Sequence, residues 1–352
     1  MDSNDRTWGG FLPALKDGVS AQISDEPLAP VRMTAAAPRM LSEADGPVVA
    51  ASFGLGAGGR LAGPVARGQL GQIWRLDVDG TSWAVKEWFA SPDGAAVEAN
   101  LEFSEAALAA GVFTPRSRLS VLGTVIAEVE GTSVRVLEWV DLAQRSRRLD
   151  PTEVGRTVAR LHHAGAPTSE RISNWFRTGM GARAWHDTHR RLVEADAPFA
   201  DALETLLPDL IAVEAIIEPH ESPRVCHRDL WADNVLASAD GRVCVIDFEN
   251  LGPADPSQEL AMVLFEFGDG DPERARELHA AYVEAGGPGR VSRRGHFSML
   301  VAQQAHIASY ACARWLGEKD PAERDRLEAW FRETPEDPVT LDRIDRILAA
   351  NE

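Results

Sequence analysis

The chain has 352 residues, of which 44% are hydrophobic and 26% are charged, as in a globular protein large enough for two domains. Its formal net charge of −18 argues against a nucleic-acid partner, and its apolar runs are too short or too interrupted to span a bilayer. We therefore expect neither nucleic acid nor a membrane as partner, and either a monomer or a homodimer. The three cysteines form no CxxC pair, and the N-terminus has no basic segment before an apolar core, so a cytoplasmic protein without a secretory signal is expected.

The beginning of the chain changes from an irregular composition to strands. Residues 1–40 are rich in Ala, Pro, Ser and Asp and are predicted to form an extension that is partly ordered at best. A short helix is predicted over 42–53, with Ser42 as its N-cap. Three short β-rich runs follow, at 60–67, 72–78 and 82–88. The Asp-Gly pair between the last two runs is typical of a hairpin, so three antiparallel strands are predicted here.

The rest of the chain is predicted to be mainly helical. A helix over 93–110 and two strands near 124–129 and 133–140 come first, and then Pro151 opens a helix that ends near Gly165. Further helices are predicted at 182–195, 200–218, 257–267, 271–285, 294–317, 321–333 and 339–350. A β-rich island interrupts them at 224–226, 235–237 and 243–248. This order predicts an α+β fold with two lobes and a cleft between them: a β-sheet lobe over 41–140 and a helical lobe over 141–352.

The β-rich island carries the residues with the clearest chemistry. The sequence reads His227-Arg228-Asp229, places Asn234 five residues after the aspartate, and then turns through a hairpin into an apolar strand that ends at Asp247. The pattern H-x-D-x-x-x-x-N, followed by a strand that ends in Asp, is typical of the catalytic loop and metal-binding strand of kinases. A tight loop and a hairpin would bring a proton acceptor and two metal ligands to one point. Asp229, Asn234 and Asp247 are therefore the predicted catalytic residues.

This segment resembles the aminoglycoside phosphotransferase and choline kinase superfamily, the small-molecule branch of the protein-kinase-like fold. The resemblance extends over roughly 45–320. The family's loop often reads H-G-D, from which Arg228 departs, and its metal strand often ends D-[FW]-E, which Asp247-Phe248-Glu249 fits. The resemblance implies a two-lobed protein-kinase-like fold, ATP or GTP as the donor, and Mg²⁺ held by Asn234 and Asp247. His227, Arg228 and Glu249 would support these residues.

The short segment after Asp247 favours a small acceptor. Eleven residues separate Asp247 from Glu259, too few for the long activation segment with which a protein kinase docks a peptide. Asp255-Pro256 and Glu259 resemble the family's D-P…D-L-A, with Glu259 in place of the second Asp. Two interpretations of Glu259 stay open. It would either anchor the catalytic loop through Arg228 or the backbone, or offset the dipole of the helix that it begins.

The strand-rich part supplies the expected nucleotide site. Trp83-Ala84-Val85-Lys86 matches the V-A-x-K pattern of the third strand, so Lys86 is predicted to bind the α- and β-phosphates rather than to be a solvated edge charge. Family-like spacing favours Glu102 as its partner and leaves Glu98 open. Gly68 and Gly71 would hold phosphate oxygens with their backbone N–H groups. The resemblance also implies that the backbone of Glu138 and Val140 pairs with the base.

The predicted function is transfer of a nucleotide γ-phosphate to a hydroxyl of a small, cationic molecule, because an acidic protein is compatible with a cationic substrate; solubility is the alternative explanation of the charge. An antibiotic of the aminoglycoside type is the first choice, and choline or ethanolamine, an amino sugar and homoserine are the alternatives. Candidate acceptor residues are Trp231, Asp187 and Glu266. His162 and His163 are interpreted as caps of helix carbonyl groups.

Two other classes of protein could share this fold. An inactive nucleotide-binding protein would be expected to lack Lys86, Asp229 or Asn234, and all three are present. A protein kinase is disfavoured by the short gap after Asp247. The sequence therefore favours an active small-molecule kinase.

Overall fold

The computed structural model describes residues 39–68, 70–333 and 338–351, so the predicted extension lies almost wholly outside the described residues. The described chain divides into two compact units. We call residues 39–144 and 236–251 the sheet unit, and the remaining described residues, from 145–235 and from 252 onwards, the helical unit. No helix within these described ranges is long and apolar enough to cross a membrane.

The sheet unit contains most of the strands. In chain order its elements up to residue 144 are α1 (Gly46–Ser52), β1 (Arg60–Arg67), β2 (Gly71–Val78), β3 (Thr81–Trp88), α2 (Gly94–Ala109), β4 (Ser117–Arg118), β5 (Ala127–Val129) and β6 (Thr132–Glu138). The strands pair in the order β1-β2-β3-β6-β4, with β5 also on β6, and every pairing is antiparallel. The two hairpins of β1–β3 therefore follow the order in which the strands occur in the sequence.

Alternation along the strands gives the sheet its two faces. Val85 on β3 and Val134 and Val136 on β6 are all fully buried in one apolar core together with α1. Because successive side chains of a strand point to opposite faces, Lys86 and Arg135 must project from the other face. The register places their Cα atoms directly opposite each other.

The second part of the chain is mainly helical. Its elements are α3 (Pro151–Ala164), α4 (Ala182–Glu194), α5 (Ala200–Glu214), β7 (Arg224–Cys226), β8 (Val235–Ala237), β9 (Val243–Val245), β10 (Gly252–Ala254), α6 (Pro256–Gly268), α7 (Pro272–Glu284), α8 (Ser298–Gly317), α9 (Pro321–Glu333) and α10 (Leu341–Ala350). Helix α6 is buried along almost its entire length, as expected of a helix that is apolar on all sides. It is the central helix of the unit and packs on α7 and α8.

Aspartate caps begin several helices at the predicted positions. Asp150, Asp255 and Asp271 each accept a hydrogen bond from a backbone N–H of the following turn, and each is followed by proline at the first helical position. Proline loses nothing there, because the first N–H groups of a helix have no partner within the helix. These local signals explain why the helices that begin at Pro151, Pro256 and Pro272 start within one residue of the predicted positions. The helix predicted over 200–218, by contrast, ends at Glu214.

The α+β class is confirmed, but the β-rich island differs from the prediction. Strand β7 pairs with β10, a strand that the sequence did not reveal, whereas β8 pairs with β9. Residues 236–251 belong to the sheet unit, although the sequence placed them in the helical lobe. Isolated bridges from Phe113 to Cys244 and from Leu142 to Ser238 attach this hairpin to the sheet unit. Such long-range pairings have no local sequence signal.

Candidate active site

The sheet unit contains a cavity of about 650 Å³. Apolar residues such as Ile73, Ala84, Leu137 and Ile246 line part of it. Seven residues that the sequence assigned to the nucleotide, the metal or their support also line it: Gly68, Gly71, Lys86, Glu138, Val140, Asp247 and Glu249. Glu138 donates its N–H to the carbonyl of Arg116 at 2.8 Å, so the carbonyl is the backbone group of Glu138 that is left to pair with a base.

One glycine of the predicted phosphate turn is required by close packing. A Cβ on Gly71 would lie 2.1 Å from the backbone oxygen of Glu87, so a side chain there would collide with the neighbouring strand. The N–H of Gly68 donates to the carbonyl of Gly71 at 2.9 Å and closes the turn between β1 and β2. Gly68 and Gly71 therefore present only backbone to the cavity.

The structure gives Lys86 a different carboxylate partner from the predicted one. Its Nζ lies 2.6 Å from Oε1 of Glu249 and 3.9 Å from Oδ1 of Asp247. The predicted partners Glu102 and Glu98 both lie on the exposed side of α2. The buried side of this helix carries Asn100 and Ser104 instead. The rotation of α2 about its axis, which tertiary packing sets, accounts for this correction.

Asp247 occupies a tight turn after β9. Its backbone is left-handed, with φ of 60°, and it begins a short 3-10 helix over Phe248–Asn250. Helix α2 holds this turn, because the ring of Phe103 packs against that of Phe248 with centroids 5.8 Å apart. The amide of Asn100, oriented to satisfy its neighbours, donates to the backbone oxygen of Phe248 at 2.8 Å. The Asp247 carboxylate is thus fixed at its base and one-third exposed.

The helical unit holds the predicted catalytic loop, residues 227–234. His227, Asp229 and Asn234 are all buried, with at most 8% exposure. The amide nitrogen of Asn234 donates to both the backbone oxygen and Oδ2 of Asp229, each at 2.9 Å. The amide oxygen of Asn234 is therefore the atom that is left to coordinate a cation. The two residues are brought together as the motif spacing predicted.

Glu259 anchors this loop from α6. One of its carboxylate oxygens accepts the backbone N–H of Arg228, and the other lies 2.8 Å from Nε2 of His162. Burial would raise the pKa of Glu259, but the hydrogen bonds from His162 and from the backbone N–H of Arg228 bring the pKa below its usual value. The geometry favours the first of the two interpretations of Glu259, with the contact made through the backbone. It also shows that His162, which the sequence had assigned to capping, contacts Glu259.

A tyrosine orients the imidazole of His162. The hydroxyl of Tyr282 lies 2.7 Å from Nδ1 of His162 and accepts the N–H of Gly289 at 2.8 Å. This arrangement is satisfied when the tyrosine donates its proton to Nδ1, so that Nε2 carries the hydrogen that is donated to Glu259. The neighbouring His163 does cap its helix, through a 2.8 Å contact between Nδ1 and the carbonyl of Ala159.

Arg228 replaces the glycine of the family pattern yet keeps a left-handed backbone, with φ of 64°. Its guanidinium packs over the ring of Phe176 at 4.3 Å, and burial lowers its pKa to about 10. A Cβ on Gly252 would lie 2.5 Å from this guanidinium, so the side chain needs a glycine beside it. The amide of Gln303 donates to the backbone oxygen of Arg228 at 2.9 Å. Together these contacts compensate a conformation that a non-glycine residue rarely adopts.

The three predicted acceptor residues have other surroundings. Glu266 is 2% exposed, pairs with Arg147 at 2.9 Å, and accepts the backbone N–H of Ala232 at 3.2 Å. Trp231 is 1% exposed. Asp187 is partly exposed and pairs with Arg190 at 2.9 Å. Glu266 and Trp231 are therefore corrected from acceptor contacts to internal supports of the loop, because neither presents a surface to a ligand.

Comparison with known proteins gives a consistent result. The model of the phosphotransferase enzyme family matches residues 62–296, which is more than half of the chain. No curated protein sequence matches significantly.

Similar solved structures agree with the family match. An aminoglycoside phosphotransferase from Alicyclobacillus acidocaldarius subsp. acidocaldarius DSM 446 is 19% identical, with a TM-score of 0.56 over 83% of this chain and 91% of that one. A spectinomycin phosphotransferase solved with ADP and spectinomycin is 14% identical, with a TM-score of 0.57 over 83% and 92%. A microcompartment-associated aminopropanol kinase is 14% identical, with a TM-score of 0.54 over 82% and 94%. These similarities confirm the predicted kinase-like fold.

Proposed function

Because the chain belongs to the phosphotransferase enzyme family, we propose that it transfers the γ-phosphate of ATP to a hydroxyl of a small, amine-bearing molecule. The observation that carries the proposal is the cavity in the sheet unit, where Lys86, Asp247 and Glu249 meet below the glycine turn. A cavity of about 650 Å³ is of the size that ligand sites commonly have. Lys86 would bind phosphate oxygens, and the backbone of Glu138 and Val140 would bind the base.

Similar structures support a nucleotide donor. The spectinomycin phosphotransferase was solved with ADP, and a second structure of that enzyme, with a TM-score of 0.51, was solved with AMP. ATP is therefore proposed as the donor, and GTP is tested beside it. Asn234 and Asp247 offer the amide and carboxylate oxygens that Mg²⁺ prefers, so these two residues would hold the ion. Mg²⁺ would supply charge neutralisation at the phosphates when bound.

Asp229 would accept the proton of the attacking hydroxyl. A carboxylate in this role contributes through its position more than through its basicity, because phosphoryl transfer places little charge on the nucleophile until late. The two hydrogen bonds from Asn234 fix the orientation of Asp229. Glu259 fixes the preceding backbone N–H. The chain thus contributes a rigid proton acceptor whose geometry does not depend on the substrate.

The acceptor is proposed from charge and from similar proteins. A net charge of −18 attracts cations. Among the structural neighbours, an aminoglycoside, spectinomycin and aminopropanol are named as substrates, and each contains amine and hydroxyl groups. An antibiotic is therefore proposed first. The similarity to an aminopropanol kinase favours a small amino alcohol as the second candidate.

The proposal is tested by following ADP release from ATP, and GDP release from GTP, with a panel of acceptors. The panel contains aminoglycosides, spectinomycin, aminopropanol, choline, ethanolamine, amino sugars and homoserine. We expect at least one amine-bearing member to stimulate release in the wild type and not in Asp229→Asn. Tight nucleotide binding without stimulation by any acceptor would instead support an inactive nucleotide-binding protein.

A further inference from the structure

Arg135 is a second cation in the proposed nucleotide cavity, and no motif of the sequence singles it out. It lies on β6, three residues before Glu138, and lines the cavity. Its Cα is the direct partner of Lys86 across the antiparallel pair of β3 and β6. Side chains at such a pair leave the same face of the sheet with Cβ atoms about 5 Å apart. The sheet therefore presents two positive groups side by side.

The guanidinium of Arg135 is held on one edge only. Its Nε and Nη2 donate to Oγ of Ser117, at 3.1 and 2.5 Å. Within residues 39–68, 70–333 and 338–351, Nη1 has no hydrogen-bond partner, and this atom is not fully buried. The residue is 9% exposed and lines the cavity, so this remaining exposure, and Nη1 with it, faces the cavity.

Two cations at one cross-strand pair repel each other, and the repulsion needs compensation. The carboxylates of Glu249 and Asp247 supply it: Glu249 contacts Lys86 directly. Burial lowers the pKa of Arg135, while Glu249 and then Asp247 act to raise it. Two positive and two negative groups thus balance around an open cavity. A ligand that binds the two positive groups therefore changes the charge balance of the two negative groups.

We propose that Arg135 binds the phosphate chain of the donor nucleotide together with Lys86. This inference rests on the proposed function, because it places the nucleotide in this cavity. A guanidinium presents a planar fork of donors that matches phosphate oxygens, and Ser117 already fixes its orientation, so little freedom is lost on binding. The proposed acceptor is cationic and would be repelled by this pair.

The alternative role for Arg135 is purely structural, as a counter-ion of Glu249 and Asp247. The two roles differ in how binding depends on the number of phosphates. A phosphate contact strengthens ADP and ATP binding and leaves adenosine binding unchanged. A structural role alters all nucleosides and nucleotides equally, or none of them.

The experiment measures dissociation constants of adenosine, AMP, ADP and ATP by isothermal titration calorimetry on the full chain. We expect Arg135→Met to weaken ADP and ATP binding at least about tenfold and adenosine binding less than about twofold. Arg135→Gln, which retains an amide donor for Ser117 without the charge, should show the same dependence on phosphate number. Arg60→Met is the matched control, because Arg60 is 76% exposed and does not line the cavity.

Each outcome distinguishes this inference from the proposed function. If the wild type binds ADP but both Arg135 variants bind it with unchanged affinity, the inference is wrong and the proposed function stands. An equal loss for adenosine and ADP overturns it as well, because that pattern indicates a distorted cavity. If the wild type binds no nucleotide, both proposals are wrong. Arg135→Gln alone decides the question if the methionine variant does not fold.

Discussion

The sheet-unit cavity and the helical-unit loop use charge in different ways. Around the cavity, Lys86, Asp247 and Glu249 are between 18% and 33% exposed at their side chains and pair with one another beside open space. In the loop support, Glu259 and His162 are completely buried. The first set of pairs can be exchanged for a ligand, because solvent already reaches it. The second set holds backbone in place and has no route to a ligand.

The difference has an energetic consequence. A partly exposed ion pair contributes at most about 1 kcal/mol to stability, because water and salt screen it. Removal of a buried carboxylate leaves its hydrogen-bond donors without an acceptor and costs about 3–5 kcal/mol of stability. Substitutions in the cavity should therefore change binding and leave folding nearly intact. Substitutions beneath the loop should change folding, and through it the position of Asp229.

The largest expected effect is on turnover. Asp229→Ala should lower kcat by about 10²–10⁴-fold, because it removes the proton acceptor from a loop that stays folded. ADP affinity, measured by calorimetry, should stay within about twofold of the wild type, because the cavity in the sheet unit lacks this residue. Loss of ADP binding in this variant would show that Asp229 also contributes to the nucleotide site.

Glu259→Ala should be the most destabilising single change in either region. The backbone N–H of Arg228 and Nε2 of His162 would both lose their acceptor in a fully buried place. We expect the free energy of unfolding, from urea titration, to fall by about 3–5 kcal/mol. Glu249→Ala is the matched control from the cavity and should cost less, because solvent reaches Lys86, which would lose its partner. Equal losses in the two variants would remove the basis of the comparison.

The stability of the protein at acid pH should depend on the same buried carboxylate, Glu259. The pKa of Glu259 is lowered from its ordinary value of 4.5 in the folded protein, so the unfolded chain binds its proton first as the pH falls. Its contribution is complete above about pH 4.5 and is lost as the pH falls through the lower folded pKa. The stability difference between the wild type and Glu259→Gln should therefore narrow between pH 6 and pH 3 in urea titrations. A constant difference would show that folding does not lower the pKa of Glu259.

Sequence reasoning selects the residues whose proposed roles depend on local spacing. The loop motif, the glycine turn and the third-strand lysine are each defined within a few residues, so Asp229, Asn234 and Lys86 could be selected without a structure. The partner of Lys86 could not, because it depends on how α2 is rotated. Neighbouring helical positions differ by about 100°, and Asn100 and Ser104 each lie two positions from Glu102, so a rotation of about 160° decides whether Glu102 or one of these residues is buried.

The spacing of apolar residues in the sequence could have corrected two of the other assignments. His162 lies eight residues after Val154 and four after Val158 and therefore shares their buried face, while His163 does not. Glu266 stands between Phe265 and Phe267 in a helix that is apolar on all sides, which indicates a paired internal carboxylate rather than a ligand contact. The 97-residue separation of His162 and Glu259 has no such signal and required the structure.

Lys86→Met tests whether the ion pairs of the cavity can be exchanged for a ligand. Loss of its charge should weaken ADP binding at least about tenfold, because a charged hydrogen bond to phosphate is removed. The free energy of unfolding should change by no more than about 1 kcal/mol, because the pair with Glu249 is partly exposed. Calorimetry and urea titration measure the two quantities on the same preparation. A large stability loss with unchanged ADP affinity would assign Lys86 to the core instead.

The smallest effect concerns Arg228 and separates its backbone from its side chain. Arg228→Gly and Arg228→Ala both remove the guanidinium from Phe176, so that loss is common to the two variants. Only alanine must then adopt the left-handed backbone with a Cβ, which costs about 1 kcal/mol relative to glycine. Urea titration should therefore show the glycine variant to be more stable than the alanine variant by about 1 kcal/mol. Equal stabilities would mean that the loop relaxes out of this conformation, and kcat should then fall further in the alanine variant, because Asp229 follows directly in the chain.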